Sequence, residues 1–168
     1  MDKSPWSVPV AVEDIPDTGL HMEIEAPAAV RAAVAELANV RELPELTAVF
    51  NLTRQGAGVH ASGRVSARVG QTCVVSLEPM ESALDEPIEV AFSPSGDVVP
   101  TDGEEPPEPL VGGSLDLGAL ATEFLLLGID PYPRKAGAQF APPKVDESGG
   151  HPFAALATLK KGPGSGKP

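Results

Sequence analysis

From Val59 to Val69 every second residue is apolar or small: Val59, Ala61, Gly63, Val65, Ala67 and Val69. The residues between them, His60, Ser62, Arg64, Ser66 and Arg68, are polar. A strand points successive side chains to opposite faces, so this period of two specifies a long strand with one face buried and one wet. A helix would scatter the same residues around its whole circumference. The pattern excludes an all-helical fold. It also demands strands to pair with both edges and a layer to cover the apolar face.

Both are found nearby. Ala48, Phe50 and Leu52 alternate with Thr47, Val49 and Asn51, and Gln55-Gly-Ala-Gly58 supplies a hairpin loop. Downstream, Gly70 and Gln71 predict a turn into a strand over residues 72–77 that Pro79 interrupts. A last strand runs through Ile88, Val90 and Phe92, with Glu86 and Glu89 outward. Residues 7–12 read as a short strand whose Pro9 suits a sheet edge, followed by turn chemistry from Asp14 to Gly19. The covering layer is two helices. Pro27 opens the first. It turns Val30, Ala33, Val34, Leu37 and Ala38 inward, keeps Arg31 and Glu36 out, and stops at Asn39 in a left-handed conformation. Asp116 caps the second, whose inward stripe is Leu117, Leu120, Ala121, Phe124 and Leu127, with Gly128 as its stop. Leu125 and Leu126 fall outside that stripe, so this helix is either buried on two sides or partly a contact surface. The expected fold is α+β: an antiparallel sheet or meander, open or barrel-like, packed by two helices.

Glycine and proline mark where the regular structure stops. Of 17 glycines and 19 prolines, nine fall in residues 94–113 and thirteen in residues 131–168. This predicts a single α+β domain over residues 4–135 with a flexible acidic insertion at 94–113. Residues 136–168 read as a largely flexible tail with a short helical segment near 152–160. With five Phe, one Trp and one Tyr, the core is expected to be aliphatic.

The formal net charge is −12, and it is concentrated. Residues 69–133 hold thirteen acids and no Lys or Arg, while the remainder carries a net charge of +1. Such a stretch repels phosphate backbones, which excludes broad RNA or DNA binding through it and permits a basic protein partner. One cysteine, Cys73, excludes an internal disulfide and the usual four-ligand thiolate zinc site. The opening residues lack the apolar run of a secretory signal, and the apolar block Leu117 to Ile129 is too short to span a bilayer. A cytoplasmic location is the expectation.

Enzyme constellations are missing from the sequence. His21, in a turn region, His60 and His151 have no partners at metal-ligand spacing, and Gly56-Ala-Gly58 sits between strands with no helix to receive a phosphate. No cofactor motif occurs. Cys73 reads as a half-buried strand residue, and as a nucleophile only beside a base on a neighbouring strand. Five bases remain. Arg54, Arg64 and Arg68 are expected to gather on one side of the hairpin. Arg134 and Lys135 follow the stiff Asp130-Pro-Tyr-Pro133 just beyond the second helix. They could touch a few phosphates at a defined place, or pair with the acids around them.

The order of these pieces resembles the YceD family, found in bacteria and plastids and named for large ribosomal RNA subunit accumulation. The resemblance covers most of the chain. It rests on Ser7-Val-Pro-Val-Ala-Val-Glu-Asp-Ile-Pro16 and on Cys73-Val-Val-Ser-Leu-Glu-Pro79 after a Gly-Arg-Val strand. It rests above all on Gly113-Ser-Leu-Asp-Leu-Gly-Ala-Leu-Ala-Thr-Glu-Phe-Leu-Leu-Leu127 followed by Asp130-Pro-Tyr-Pro-Arg-Lys135. His151-Pro-Phe-Ala-Ala-Leu-Ala-Thr-Leu-Lys160 matches too. Many members have Cys-x-x-Cys where this chain has Cys73 and Ser76. The resemblance implies a non-enzymatic role in synthesis or accumulation of large-subunit ribosomal RNA, without cofactor, metal or membrane. The partner expected is a basic ribosomal protein or a large-subunit precursor, with direct RNA contact local at most. The alternatives are an acidic adaptor not tied to the ribosome and a Cys73-dependent enzyme. Candidate contacts are Asp116, Glu123, Leu126, Tyr132, Arg134 and Lys135, with Arg64 and Arg68 on the strand.

Proline, glycine and acids cannot offset chain entropy by burial, so residues 95–112 and 141–168 should exchange their amide protons freely. Slow exchange measured across residues 97–108 would contradict this.

Overall fold

The computed structural model describes residues 4–94 and 107–142. Seven strands occur in it: β1 (Pro9–Ala11), β2 (Leu20–Glu25), β3 (Glu42–Gln55), β4 (Gly58–Thr72), β5 (Pro79–Ser93), β6 (Glu108–Pro109) and β7 (Ser114–Asp116). Helix α1 (Ala28–Leu37) follows β2, and α2 (Leu117–Gly128) follows β7. Residues up to Ala138 form one compact unit, and of the second, Gln139–Pro168, residues 139–142 are described. Most of the expected insertion (residues 95–106) and the expected helical segment near 152–160 lie outside the described residues.

The alternating strand is β4, at the centre of a sheet ordered β2-β3-β4-β5-β6. Its pairs are antiparallel except β5 with β6, which is parallel. The order ends at β2 and β6, so the sheet is open and the barrel-like option does not hold. The strand expected over residues 72–77 is absent. β4 and β5 each run 15 residues, and residues 73–78 form the tight connection between them. Val74 and Val75 favour a strand, but β5 pairs with β4 from Pro79 onward and leaves them no partner strand. A strand not expected, β2, pairs six residues with β3, and this places His21 on a strand instead of in a turn.

One pleat face carries the core. Val59, Ala61, Val65, Ala67 and Val69 of β4 are buried with Leu46, Ala48, Phe50 and Leu52 of β3, and with Leu84 and Ile88 of β5. Each such aliphatic side chain contributes about 1.5–3 kcal/mol on burial. Phe50 stands directly across from Gly63, where a side chain would run into the Val49 carbonyl of β3. Both helices cover this face, α1 over β3 and α2 over β4 and β5. The core is aliphatic apart from Phe50 and Trp6, which the N-terminal segment brings in.

Both helices are rotated from their expected stripes. In α1 the buried pair is Val34 and Ala35, while Leu37 is 56% exposed and Ala33 also faces out. Arg31, expected outward, is half-buried and donates to the Ala26 carbonyl. Asn39 ends the helix at φ 52°, as its left-handed tolerance predicts. In α2 the buried residues are Leu117, Gly118, Leu120, Ala121, Thr122 and Leu125, and Leu127 faces solvent. In α2 the rotation has a cause. The N-terminal segment lies against Gly118, where an added Cβ would stand 2.8 Å from the Trp6 carbonyl, and Ser4 hydrogen-bonds Thr122.

Asp116 joins that segment to α2. Its carboxylate accepts from Gly118 and Ala119 at the helix start, from the Val8 N–H at 2.8 Å, and from the Ser7 hydroxyl at 2.6 Å. Alongside it β1 pairs with β7. Partial burial pushes this carboxyl up, but the bonds from Ser7, Val8, Ala119 and Gly118 more than offset that and leave it below its usual value. A depressed carboxyl adds stability that is present at neutral pH and lost as pH falls through its folded value. Asp116→Ala should therefore lower stability by about 1–2 kcal/mol at pH 7. Urea unfolding at pH 7 and pH 3 should show the difference from wild type shrinking in acid.

Candidate functional site

The second helix ends where Ile129 donates back to the Leu125 carbonyl, and the chain then crosses to the β4–β5 connection. Residues 130–135 are fixed there at four points. The Asp130 carboxylate accepts from the Tyr132 N–H at 2.8 Å, closing a tight turn on itself. Buried Gln71 donates its side-chain amide to the Asp130 carbonyl at 2.9 Å. The Val74 N–H donates to the Pro133 carbonyl at 2.9 Å. The Lys135 N–H donates to Cys73 Sγ at 3.3 Å. Pro133 is buried as a result, while Tyr132 is 71% exposed and Arg134 and Lys135 point out beside it.

The receiving loop is itself tight. Cys73 donates its N–H to Glu78 and accepts at its carbonyl from Leu77, which sits at φ 59°. Cys73 Sγ accepts a second N–H, from Ser76 at 3.4 Å. The sulfur is buried, in a turn and not on a strand as expected. Those donors, Lys135 first and then Ser76, hold the thiol at about 6, and its seclusion from water only partly opposes them.

The candidate contacts fall into three groups. Leu126, Tyr132, Arg134 and Lys135 gather at the end of α2. Leu126 is 38% exposed and lines a groove of about 470 Å³ together with Val74, Ile129, Pro131, Pro133 and Arg41. Lys135 forms an ion pair with Glu78 at 2.9 Å, and Arg134 has none among the described residues. Glu123 lies on another side of α2, where burial and then neighbouring Glu108 hold its carboxyl above the usual range. Arg64 and Arg68 are elsewhere, on the solvent face of the sheet, paired with Asp85 and Glu81 of the acidic stretch. Arg54 does not join them, because it stands across from Val59 on the other pleat face. Asp116 is half-buried and engaged by its four internal donors.

Sequence reasoning missed Gln71, Val74 and the Cys73 sulfur as the fixtures of this segment. The available signal was a polar Gln at the end of an otherwise apolar strand face, directly before a turn. Among the described residues no three His, Cys, Asp or Glu side chains are grouped to hold a metal ion, and no helix is long and apolar enough to cross a membrane.

Residues 61–160 match the family model described as Large ribosomal RNA subunit accumulation protein YceD. No curated protein and no solved structure matches the chain.

The Cys73 geometry carries a consequence in solution. A thiol lowered to about 6 in the folded state adds stability above its ordinary value, and that stability is lost as pH falls through 6. Thiolate absorbance should titrate near pH 6 in the native protein. The stability advantage of wild type over Cys73→Ala should grow between pH 5.5 and pH 9, and a flat difference would show that the sulfur accepts no such bonds.

Proposed function

This chain belongs to the YceD family, and on that premise we propose that it promotes accumulation of large-subunit ribosomal RNA without catalysis, by holding a basic ribosomal protein or an assembly precursor. The surface proposed is the last turn of α2 with residues 130–135. The carrying observation is the four-point fixing of this segment, which leaves Tyr132 and Arg134 outward beside a groove lined by Leu126. Side chains presented on an already ordered backbone lose little entropy on binding, so their contacts convert to affinity. Leu126 and residues 130–135 lie within the matched residues.

Charge selects the partner class. Thirteen acids without a base over residues 69–133 oppose an RNA backbone and steer a basic protein toward α2, making association sensitive to salt. Lys135 is tethered by Glu78, whereas Arg134 is available for a carboxylate or a single phosphate at the rim. Cys73 fits an anchoring role better than a nucleophilic one, because its sulfur is buried and already accepts two backbone N–H groups.

Replacing Arg134 and Lys135 together with Ala should weaken association with large-subunit precursors by about tenfold and leave the thermal midpoint nearly unchanged. Leu126→Ala should also weaken association while lowering stability by less than about 1 kcal/mol. Leu125→Ala, in the core, should lower it by about 2–5 kcal/mol. Pull-downs from growing cells, with and without nuclease, read the association. Normal precursor binding and normal large-subunit RNA levels in both surface variants would place the working surface elsewhere.

A further inference from the structure

A second groove, of about 610 Å³, lies between α2 and the end of the sheet at β5 and β6. Its apolar part includes Phe92, Phe124 and Leu127, and Glu108 and Glu123 also line it. Leu127 is 80% exposed, although it closes a helix whose other leucines mostly point into the core. The carboxylates lack cations. Among the described residues Glu108 and Glu123 make no ion pair, whereas Glu89, on the other pleat face, meets His60 at 3.7 Å. Elsewhere on β5, Asp85 pairs with Arg64 and Glu81 with Arg68, while Glu86 makes no ion pair among the described residues. By sequence, residues 94–107 between β5 and β6 hold four acids and no base.

We propose that this groove binds a short amphipathic basic segment of a partner protein, seating its large apolar side chains on Phe92, Phe124 and Leu127 and its Lys or Arg residues on Glu108 and Glu123. The apolar floor excludes a purely polar chain, and the unmatched carboxylates exclude an acidic segment or a nucleic acid by like-charge repulsion. An apolar anchor within a charged rim is the arrangement that gives both affinity and selectivity in helix-in-groove recognition. The charge of Glu108 adds to the drive, since after burial it helps hold the Glu123 carboxyl above its usual range, and an incoming cation relieves that contribution. The inference rests on the reading of α2 as the partner-binding element and extends it to a surface separate from Tyr132 and Arg134.

The test uses the full chain and three synthetic peptides with identical leucine spacing and Lys, Gln or Glu at the remaining positions, read by fluorescence anisotropy. The Lys peptide should bind at least about tenfold more tightly than the Gln peptide, and the Glu peptide should not bind. Glu108→Gln with Glu123→Gln should erase that preference, and Leu127→Ser should weaken the Lys peptide about tenfold with the thermal midpoint unchanged. Equal binding of all three peptides overturns the proposal, as does wild-type affinity in those variants. So does self-association of the chain that Leu127→Ser abolishes, or a tenfold gain in peptide affinity on Phe153→Ser, which would assign the groove to a second copy or to the chain's own residues. The Arg134→Ala, Lys135→Ala variant should still bind the Lys peptide. If the peptides fail to discriminate while that variant still loses precursors, the groove is wrong and the wider reading stands.

Discussion

The carboxylate of Asp116 is the joint on which the rest of the molecule depends. A helix start leaves N–H groups without partners, and here two of them are met by one side chain. The same carboxylate takes the Val8 N–H and the Ser7 hydroxyl, while the Leu117 N–H donates to the Val8 carbonyl. The N-terminal segment and α2 therefore arrive as one unit. That unit carries Trp6 into the core and makes glycine necessary at position 118, because the Trp6 backbone passes where a side chain would stand. Loss of the joint would free both an edge of the core and the orientation of α2.

With its first turn fixed in this way, α2 is fixed again past its last. Gln71, Cys73 and Val74 at the end of β4 take hold of residues 130–135. The long β4–β5 pairing is what carries that connection out to meet them. A helix pinned beyond both ends does not fray in its final turn. Leu126 and Leu127 are thus exposed on rigid backbone, which lowers the entropy lost on recognition.

Much of this was legible in the sequence, and the remainder failed for reasons that can be named. The β3–β4 hairpin, the Asp116 cap and the Asn39 stop are local chemistry, and they stand where period and residue type put them. The stripe of α2 was misjudged because period alone assumes one covering surface. Gly118, Thr122 and Leu125, spaced along one line of the helix, are buried with the N-terminal segment packed beside them, and this turned Leu127 out. Val74 and Val75 read as strand by propensity, but β5 takes its register from Pro79 and closes the hairpin before them. β2 shows three alternations of apolar and acidic or basic residues, too few to outweigh the turn residues preceding it. Of the site, Tyr132, Arg134 and Lys135 were visible because prolines announce a stiff segment. The donors that hold it were not, since a buried Gln and a sulfur acceptor declare themselves only once β4 and α2 are brought together.

The distribution of charge has a logic that the net value hides. On the solvent face of the sheet, Arg64 and Arg68 neutralise acids of β5, so that face presents matched pairs to water. Exposed pairs of this kind contribute little stability, but they remove that face from competition for a charged partner. Among the described residues nothing plays that part for Glu108 and Glu123, and burial, then the charge of Glu108, keeps the Glu123 carboxyl above its usual range. A fold selected for stability alone would place a Lys or Arg within reach of them. An unneutralised acidic rim beside exposed leucines is what the proposed amphipathic basic segment would complete, with both its cations and its apolar side chains. For a protein of charge −12, a basic protein meets less electrostatic opposition than an RNA backbone does, which is why the proposed partner is a protein.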